Sequence, residues 1–203
     1  ISFTGSCQIG QWLHAEASKR HLRIQLEMGG KNPTIVLADA DFASAVENTV
    51  NASFFSTGQK CTATSRAIVE DSIYDRFVEA VVERTKKLKV GDGMQPGIDI
   101  GPCVDRGQLN TVLHYIEAGR KEAGEPACGG RHLTDGPHAN GYFVEPTVFA
   151  NVTPDMVIAR EEIFGPVLAI LRARDFQHAM EIANGSEFGL SASIQTTNIS
   201  RMY

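Results

Sequence analysis

The chain has 203 residues, of which 42% are hydrophobic and 21% charged, and this composition predicts one sizeable, soluble globular domain. Its formal net charge of −5 offers no excess of cations for phosphate backbones, so we expect no nucleic-acid partner. No apolar run approaches the roughly 18 residues that span a bilayer, so we expect no membrane partner. We expect a cytoplasmic protein unless a segment ahead of Ile1 carries a targeting signal.

The amino-terminal stretch "ISFTGS" predicts a strand, a glycine turn and a helix over 7–20 that Ser6 caps. A strand, a turn and a helix N-terminus together present backbone N–H groups to a phosphate, although most such turns are only turns. The stretch has no initiator methionine and no signal-peptide pattern, so we predict that it lies in the middle of a longer protein. Two apolar stretches, at 23–29 and 33–39, predict short buried strands.

The rest of the chain alternates between helical and strand patterns. We predict helices over 41–58, 72–88, 106–123 and 175–186, and strands over 65–70 and 142–152. Loops rich in glycine and proline separate them, as at 134–141. The alternation predicts an α/β fold with a largely parallel sheet flanked by helices.

The four cysteines are widely spaced and form neither a C-x-x-C pair nor a Cys/His cluster with zinc-ligand spacing. We therefore predict no metal site, and a domain of this size needs no disulfide framework. Without further information, each cysteine is expected to be a small buried hydrophobic side chain.

Cys61 is the cysteine whose surroundings suggest chemistry. It lies in "GQKCTAT", where small neighbours leave open space in front of the sulfur, as a reactive thiolate requires. Upstream, "LEMGGKNP" places Glu27 before two glycines that let the backbone pass close to a ligand or another strand. Glu27 could serve the thiolate as a base, and a solvated or ion-paired carboxylate at a strand end fits the same pattern.

The stretch "EEIFGP" places Glu162 and Phe164 two residues apart. The carboxylate and the aromatic ring could face one ligand as hydrogen-bond acceptor and packing surface. Taken alone, the stretch fits equally well a piece of core followed by a chain reversal.

In order and spacing, "FTGS", "LEMGGKNP", "GQKCTA" and "EEIFGPV" resemble the aldehyde dehydrogenase superfamily, and the resemblance covers the whole chain. It implies roles for six residues: Cys61 as catalytic nucleophile, Glu27 as general base, Gly5 and Ser6 at the cofactor pyrophosphate, Glu162 as acceptor for the nicotinamide ribose hydroxyls, and Phe164 as the ring beside that ribose. It also implies NAD or NADP as cofactor, a small aldehyde as substrate and a homo-oligomer for the full-length protein.

The resemblance implies a division of the chain as well. Residues 1–27 correspond to the end of a Rossmann-like NAD(P)-binding domain, and residues 28–203 to a catalytic domain that lacks its carboxyl-terminal part. The family's oxyanion asparagine and adenosine-ribose lysine would lie upstream of this chain. We therefore expect the chain alone to be inactive in turnover and to bind cofactor weakly.

Two other functions remain open: a non-catalytic module with the same fold, and a CoA-acylating dehydrogenase, against which Glu27 argues as a water-activating carboxylate. The context of Cys61 is similar to that of enzymes that act on semialdehydes of dicarboxylic acids, such as 2-oxoglutarate semialdehyde. Lys60 could steer an anionic aldehyde, Lys31 is expected to support the glycine turn, and Trp12 is expected to pack in the interior.

Overall fold

The computed structural model describes residues 1–201. The helices are α1 (Cys7–Ser18), α2 (Phe42–Phe54), α3 (Tyr74–Thr85), α4 (Arg106–Ala123), α5 (Val157–Arg160) and α6 (Phe176–Asn184). The strands are β1 (Ser2–Thr4), β2 (Gln25–Glu27), β3 (Asn32–Val36), β4 (Thr64–Glu70), β5 (His132–Leu133), β6 (Phe143–Val144), β7 (Thr147–Val152), β8 (Val167–Ala173) and β9 (Ser193–Gln195).

The main sheet has five strands in the order β7-β8-β4-β3-β9, and every pairing in it is parallel. Strand β3 is buried along its whole length, and its alternate side chains enter two cores. Ile35 packs with residues of α4, α5 and α6 on one face, whereas Val36 packs with α2 and α3 on the other. The predicted α/β fold, with a parallel sheet covered by helices, is confirmed.

The amino-terminal unit, β1–α1–β2, forms a separate two-stranded parallel sheet with α1 as its crossover. Both strands have exposed ends, so the prediction of a buried strand at 23–29 is wrong. Trp12 is 59% exposed in α1, which corrects the expectation that it packs in the interior. The domain division after residue 27 stays a prediction.

Element boundaries differ from prediction where backbone geometry intervenes. Helix α2 ends at Phe54 rather than residue 58, because Ser56, Thr57 and Gly58 take left-handed φ values of 58°, 60° and 64°. The predicted strand over 142–152 is split into β6 and β7, where Pro146 has no N–H for a sheet ladder. Helix α4 begins and ends as predicted. No helix within residues 1–201 combines the length and apolarity needed to cross a bilayer.

Candidate active site

Three of the four motifs meet at one edge of the main sheet. Strands β8, β4 and β3 are parallel neighbours, so the loops that precede them lie side by side. Gly30 precedes β3, Cys61 precedes β4, and Glu162 and Phe164 precede β8. The residues around a shallow groove there include Gly30, Lys60, Glu162 and Phe164. The sheet topology thus brings together motifs that are far apart in the sequence.

The loop that carries Cys61 is held by the side chain of Asn32. The Asn32 Nδ2 group donates to the carbonyl oxygen of Cys61 at 2.7 Å and to that of Ala63 at 2.9 Å. Asn32 is only 4% exposed, whereas Cys61 is exposed. A buried amide therefore fixes the main chain on both sides of Thr62 and leaves the cysteine facing outward. Sequence analysis gave Asn32 no role, although a polar residue at the start of a buried apolar strand was a usable signal.

Gly58 joins this loop to the segment that contains Glu162 and Phe164. A Cβ atom at Gly58 would lie 2.3 Å from the carbonyl oxygen of Gly165, and its φ of +64° also favours glycine. The preceding Thr57 holds a left-handed φ of 60° although it is β-branched, a strained conformation. Its Oγ1 atom donates to the carbonyl of Gly101 at 3.1 Å. The backbone before Cys61 is therefore closely constrained.

Gly29 and Gly30 form a cradle for the Glu162 carboxylate. The N–H of Gly30 donates to Glu162 Oε1 at 3.0 Å. A Cβ atom at Gly29 would lie 2.0 Å from Glu162 Oε2, and one at Gly30 would lie 3.0 Å from the Cys61 carbonyl oxygen. A side chain at either glycine would have to displace the Glu162 carboxylate or shift the Cys61 loop. Glu162, the glycine pair and the Cys61 loop are consequently in direct contact.

Phe164 lies at the rim of the same groove. Its ring is 40% exposed and its φ is +55°, which is uncommon for a bulky residue. The Gln108 Nε2 group, at the start of α4, donates to the carbonyls of Ile163 and Phe164, both at 2.9 Å. These bonds stabilise the turn that presents the ring. Sequence analysis missed Gln108, and nothing in its helical surroundings distinguishes it from any surface glutamine.

Glu27 ends β2 in the amino-terminal unit and is exposed. Its carbonyl oxygen accepts from the N–H of Gly5 at 3.0 Å, so the glycine turn and Glu27 are held together. Ser6 caps α1 as predicted, its Oγ accepting from the N–H of Ile9 at 3.4 Å. Within residues 1–201, neither the Glu27 carboxylate nor the Cys61 thiol makes a hydrogen bond. Glu27 therefore lies two residues before Gly29 in the chain, and within residues 1–201 no hydrogen bond joins its carboxylate to the Cys61 loop or to Glu162.

The other three cysteines differ from Cys61 in their surroundings. Cys103 and Cys128 are 1% and 9% exposed, and burial raises the pKa of each thiol to about 11. Both are the small buried side chains that were expected. Cys7 is half-buried in the first turn of α1, with its Sγ 4.0 Å from the Gly29 carbonyl oxygen. Of the four, only Cys61 is exposed.

The two lysines singled out by sequence lie in opposite environments. Lys60 is exposed beside Cys61, and its steering role stays a prediction. Lys31 is 1% exposed, and burial together with repulsion by Arg66 lowers its pKa to about 7. Its Nζ has no hydrogen-bond partner within residues 1–201, so any support of the glycine turn comes from packing of the buried side chain, and that role stays a prediction.

Comparison with known proteins gives a consistent result. The family model described as "Aldehyde dehydrogenase family" matches residues 1–203. The chain is 48% identical to alpha-ketoglutaric semialdehyde dehydrogenase of Bacillus subtilis over 202 residues, covering 100% of this chain and 41% of that protein. It is 46% identical to human aldehyde dehydrogenase 1A1 over 203 residues, covering 99% of this chain and 40% of that one.

A solved structure shows the same arrangement. Betaine aldehyde dehydrogenase from Staphylococcus aureus, crystallised with NAD+, superposes with a TM-score of 0.94 at 36% identity, over 99% of this chain and 40% of that chain. The chain thus spans about two fifths of the length of these relatives. Both the sequence match and the superposition cover nearly every residue from the "FTGS" turn to β9. The chain belongs to the aldehyde dehydrogenase family.

Proposed function

We propose that this chain carries the nucleophile and the general base of an NAD(P)-dependent aldehyde dehydrogenase that oxidises an aldehyde to a carboxylic acid. The observation that carries the proposal is the Cys61 loop: an exposed cysteine whose main chain is fixed by a buried amide and that adjoins the Glu162 cradle. A cysteine that only filled space would be buried, as Cys103 and Cys128 are.

The proposed chemistry begins with attack of the Cys61 thiolate on the aldehyde carbon, which forms a thiohemiacetal. In this proposal the Cys61 N–H donates to the resulting oxyanion. Asn32 holds the carbonyls of Cys61 and Ala63, so the backbone that carries this N–H is fixed in position. Oxidation of the thiohemiacetal leaves a thioester on Cys61. Glu27 then takes a proton from water, the oxygen adds to the thioester carbon, and the carboxylic acid leaves as the thiol is restored.

The residues at the sheet edge fit a dinucleotide cofactor. The Glu162 carboxylate has one oxygen bound to Gly30, and its position against the two glycines leaves no room for side chains there. In this proposal Glu162 accepts from ribose hydroxyls, Phe164 packs beside the ribose, and Gly5 and Ser6 place the start of α1 against a phosphate. The bound cofactor would supply the acceptor for the hydride of the aldehyde.

For the substrate, we propose the semialdehyde of a dicarboxylic acid. The support is the 48% identity with a protein named alpha-ketoglutaric semialdehyde dehydrogenase, which slightly exceeds the 46% shared with aldehyde dehydrogenase 1A1. The exposed Lys60 beside Cys61 favours an anionic substrate. A screen of 2-oxoglutarate semialdehyde, succinate semialdehyde and an uncharged aldehyde of similar length should give the highest kcat/KM for an anionic one.

The decisive variant is Cys61→Ser in the complete gene product, with formation of reduced cofactor as the readout. A serine hydroxyl is a far weaker nucleophile near neutral pH, so activity should fall by at least about 1,000-fold. Cys128→Ser is the matched control, because that thiol is buried. The folded Cys128→Ser protein should turn over at a rate near that of the wild type. Wild-type turnover by the Cys61→Ser variant would contradict the assignment.

The role of Glu27 is tested by Glu27→Gln. Because deacylation needs a base and hydride transfer does not, a single-turnover burst of reduced cofactor should survive while steady-state turnover falls. Addition of CoA distinguishes the alternative reaction: a CoA-acylating enzyme would release the thioester to CoA and would not depend on Glu27. Loss of the burst itself would contradict the proposed role.

A further inference from the structure

Two cations lie buried beside each other at the amino ends of β3 and β4. Lys31 is 1% exposed and Arg66 is 3% exposed. Arg66 donates to the main-chain oxygens of Lys31, Ile182 and Ala183 at 3.0, 3.2 and 3.0 Å, so that each of its three nitrogens has one partner while its charge stays uncompensated. Within residues 1–201, neither cation takes part in an ion pair. Buried charges without a counterion are costly, so this pair requires explanation.

The acidic residues nearest to Lys31 are engaged elsewhere. Glu162 and Glu161 attract the lysine at longer range and raise its pKa slightly against the larger effect of burial. Glu162 Oε1, however, accepts from Gly30 N–H, and Glu161 Oε2 accepts from the Tyr115 hydroxyl at 2.8 Å. Neither carboxylate comes within ion-pair distance of Lys31 among the described residues, and its Nζ remains without any partner there.

A cavity of about 440 Å³ adjoins both cations. Its wall includes Lys31, Asn32, Arg66, Ser193 and Arg201, together with the chain that leads into β9. Three of the described residues that line it are cationic and none is acidic; one of the three, Arg201, is paired with Asp39 at 3.7 Å, whereas Lys31 and Arg66 have no such partner among the described residues. The wall therefore combines a positive potential with the Lys31 ammonium group, which has no partner in the described chain.

We propose that this cavity is a binding site for a carboxylate, with Lys31 as the principal partner of that group. The cavity shares no lining residue with the groove that includes Gly30, Lys60, Glu162 and Phe164. A carboxylate gives Lys31 the acceptor that it lacks and compensates the charge of Arg66 at the same time. The proposal does not depend on the identity of the aldehyde oxidised at Cys61.

The proposal predicts that the affinity for a carboxylate depends on pH through the protonation of Lys31. Since the folded-state pKa of Lys31 is about 7 and its ordinary value is 10.5, the unfolded chain binds the extra proton between those values. Without a ligand, stability should therefore rise as the pH increases from about 7 towards 10.5. The groups that face Lys31 are Arg66, Glu161 and Glu162. A carboxylate favours the charged ammonium, so its binding should be tighter at pH 6 than at pH 9.

The test measures the Tm of the 203-residue chain during titration with sodium acetate and sodium glutarate, with sodium chloride at equal ionic strength as reference. We expect a saturable rise of about 5 °C or more at a ligand concentration ~100-fold above Kd, at pH 6. Lys31→Met should abolish the rise, whereas Lys87→Met, which removes an exposed lysine, should preserve it. A methionine fills a similar buried volume, so the variant is expected to fold.

A second measurement needs no variant. Lysine labelled with ¹³C at the ε position reports the titration of Lys31, whose midpoint should move upward when acetate is added while those of exposed lysines stay in place. The carboxylate could come from a free molecule or from an Asp or Glu side chain of the polypeptide. If acetate still shifts the Lys31 midpoint in the complete gene product, the natural ligand is a free carboxylate. If acetate has no effect there and the Lys31 midpoint is already raised, the partner is an Asp or Glu side chain of the polypeptide. The proposal is overturned if acetate changes the Tm and the Lys31 midpoint of the 203-residue chain no more than sodium chloride does.

Discussion

The main sheet is more completely packed than the amino-terminal unit, although the proposed function assigns residues of both to the candidate site. Strand β3 is buried at every position, whereas β1 and β2 have exposed ends and α1 exposes Ile9 and Trp12 by 47% and 59%. The Cys61 loop, the glycine cradle and Glu162 are attached to the well-packed part. Glu27, Gly5 and Ser6 belong to the unit with little buried surface.

This difference indicates that the two halves of the proposed chemistry depend on different parts of the structure. The surroundings of the nucleophile come from loops that the five-stranded sheet holds in place. The proposed base and the proposed pyrophosphate turn come from a unit that packs on little else within residues 1–201. Acylation of Cys61 should therefore be more robust to perturbation of β1–α1–β2 than deacylation.

The largest expected effect is on the free energy of unfolding, which a substitution in the main sheet should lower far more than one in the amino-terminal unit. Phe149 is fully buried in β7, so Phe149→Ala should lower the free energy of unfolding by about 3–5 kcal/mol. Trp12→Ala, in the amino-terminal unit, should change it by less than about 0.5 kcal/mol because the ring is already 59% exposed. Urea denaturation of both variants provides the measurement. Equal losses would show that the amino-terminal unit is packed as firmly as the sheet.

The backbone before Cys61 should be the next most sensitive feature. Gly58→Ala introduces a Cβ atom 2.3 Å from the Gly165 carbonyl oxygen at a φ of +64°, and we expect a loss of about 3 kcal/mol. Labelling of Cys61 by iodoacetamide should also change rate, because the loop must move. At Gly93 no atom lies within 4 Å of an added Cβ, so Gly93→Ala is the control and should leave both quantities nearly unchanged.

A smaller loss is expected from Asn32→Ala. The substitution leaves the carbonyls of Cys61 and Ala63 without their donor, which should cost about 2 kcal/mol. Asn184→Ala removes a single bond to the Met180 carbonyl at an exposed helix end and should cost less than about 1 kcal/mol. Denaturation curves together with the rate of Cys61 labelling test the role of Asn32. A labelling rate equal to that of the wild type would show that its amide does not position the loop.

The smallest effect concerns a surface contact between α2 and α3. Arg84 donates to Glu47 at 2.7 and 2.9 Å and lowers the pKa of that carboxylate from 4.5 to about 2. The pair therefore stabilises the fold above pH 4.5, and its contribution should be lost as the pH falls towards 2. Because both side chains are partly exposed, Glu47→Gln should cost only about 0.5 kcal/mol at pH 7. The difference in stability between the variant and the wild type should shrink as the pH falls from 4.5 towards the folded-state pKa of about 2.

The sequence predicted most of the fold because its main signals are local. The sequence pattern predicted α4 over 106–123, which are its bounds in the structure, where Asp105 also caps it. Parallel pairing also followed from the alternation of helices and strands. The end of α2 was misplaced because three successive left-handed residues, of which two are not glycine, have no dependable sequence signal.

Sequence patterns could point only to those residues of the candidate site that lie in recognisable motifs. The motifs singled out Cys61 and Glu162, whose roles stay predictions, and the fold places their loops side by side. Asn32 and Gln108 were missed because their roles depend on main-chain carbonyls that are distant in sequence. The unpaired charge of Lys31 could not be inferred either, since burial of an ammonium group is a property of the assembled tertiary structure.

The central claim is that the sheet-held loop presents Cys61 as a preformed nucleophile even when the 203-residue chain is isolated. Brief exposure of the native chain to p-nitrophenyl acetate, followed by peptide mass spectrometry, measures this directly. The account predicts one acetyl group on Cys61 and almost none on Cys7, Cys103 or Cys128, with slow loss of the acetyl group because Glu27 lies in the loosely packed unit. Acetylation spread evenly over the four thiols, or absent from Cys61, would contradict it.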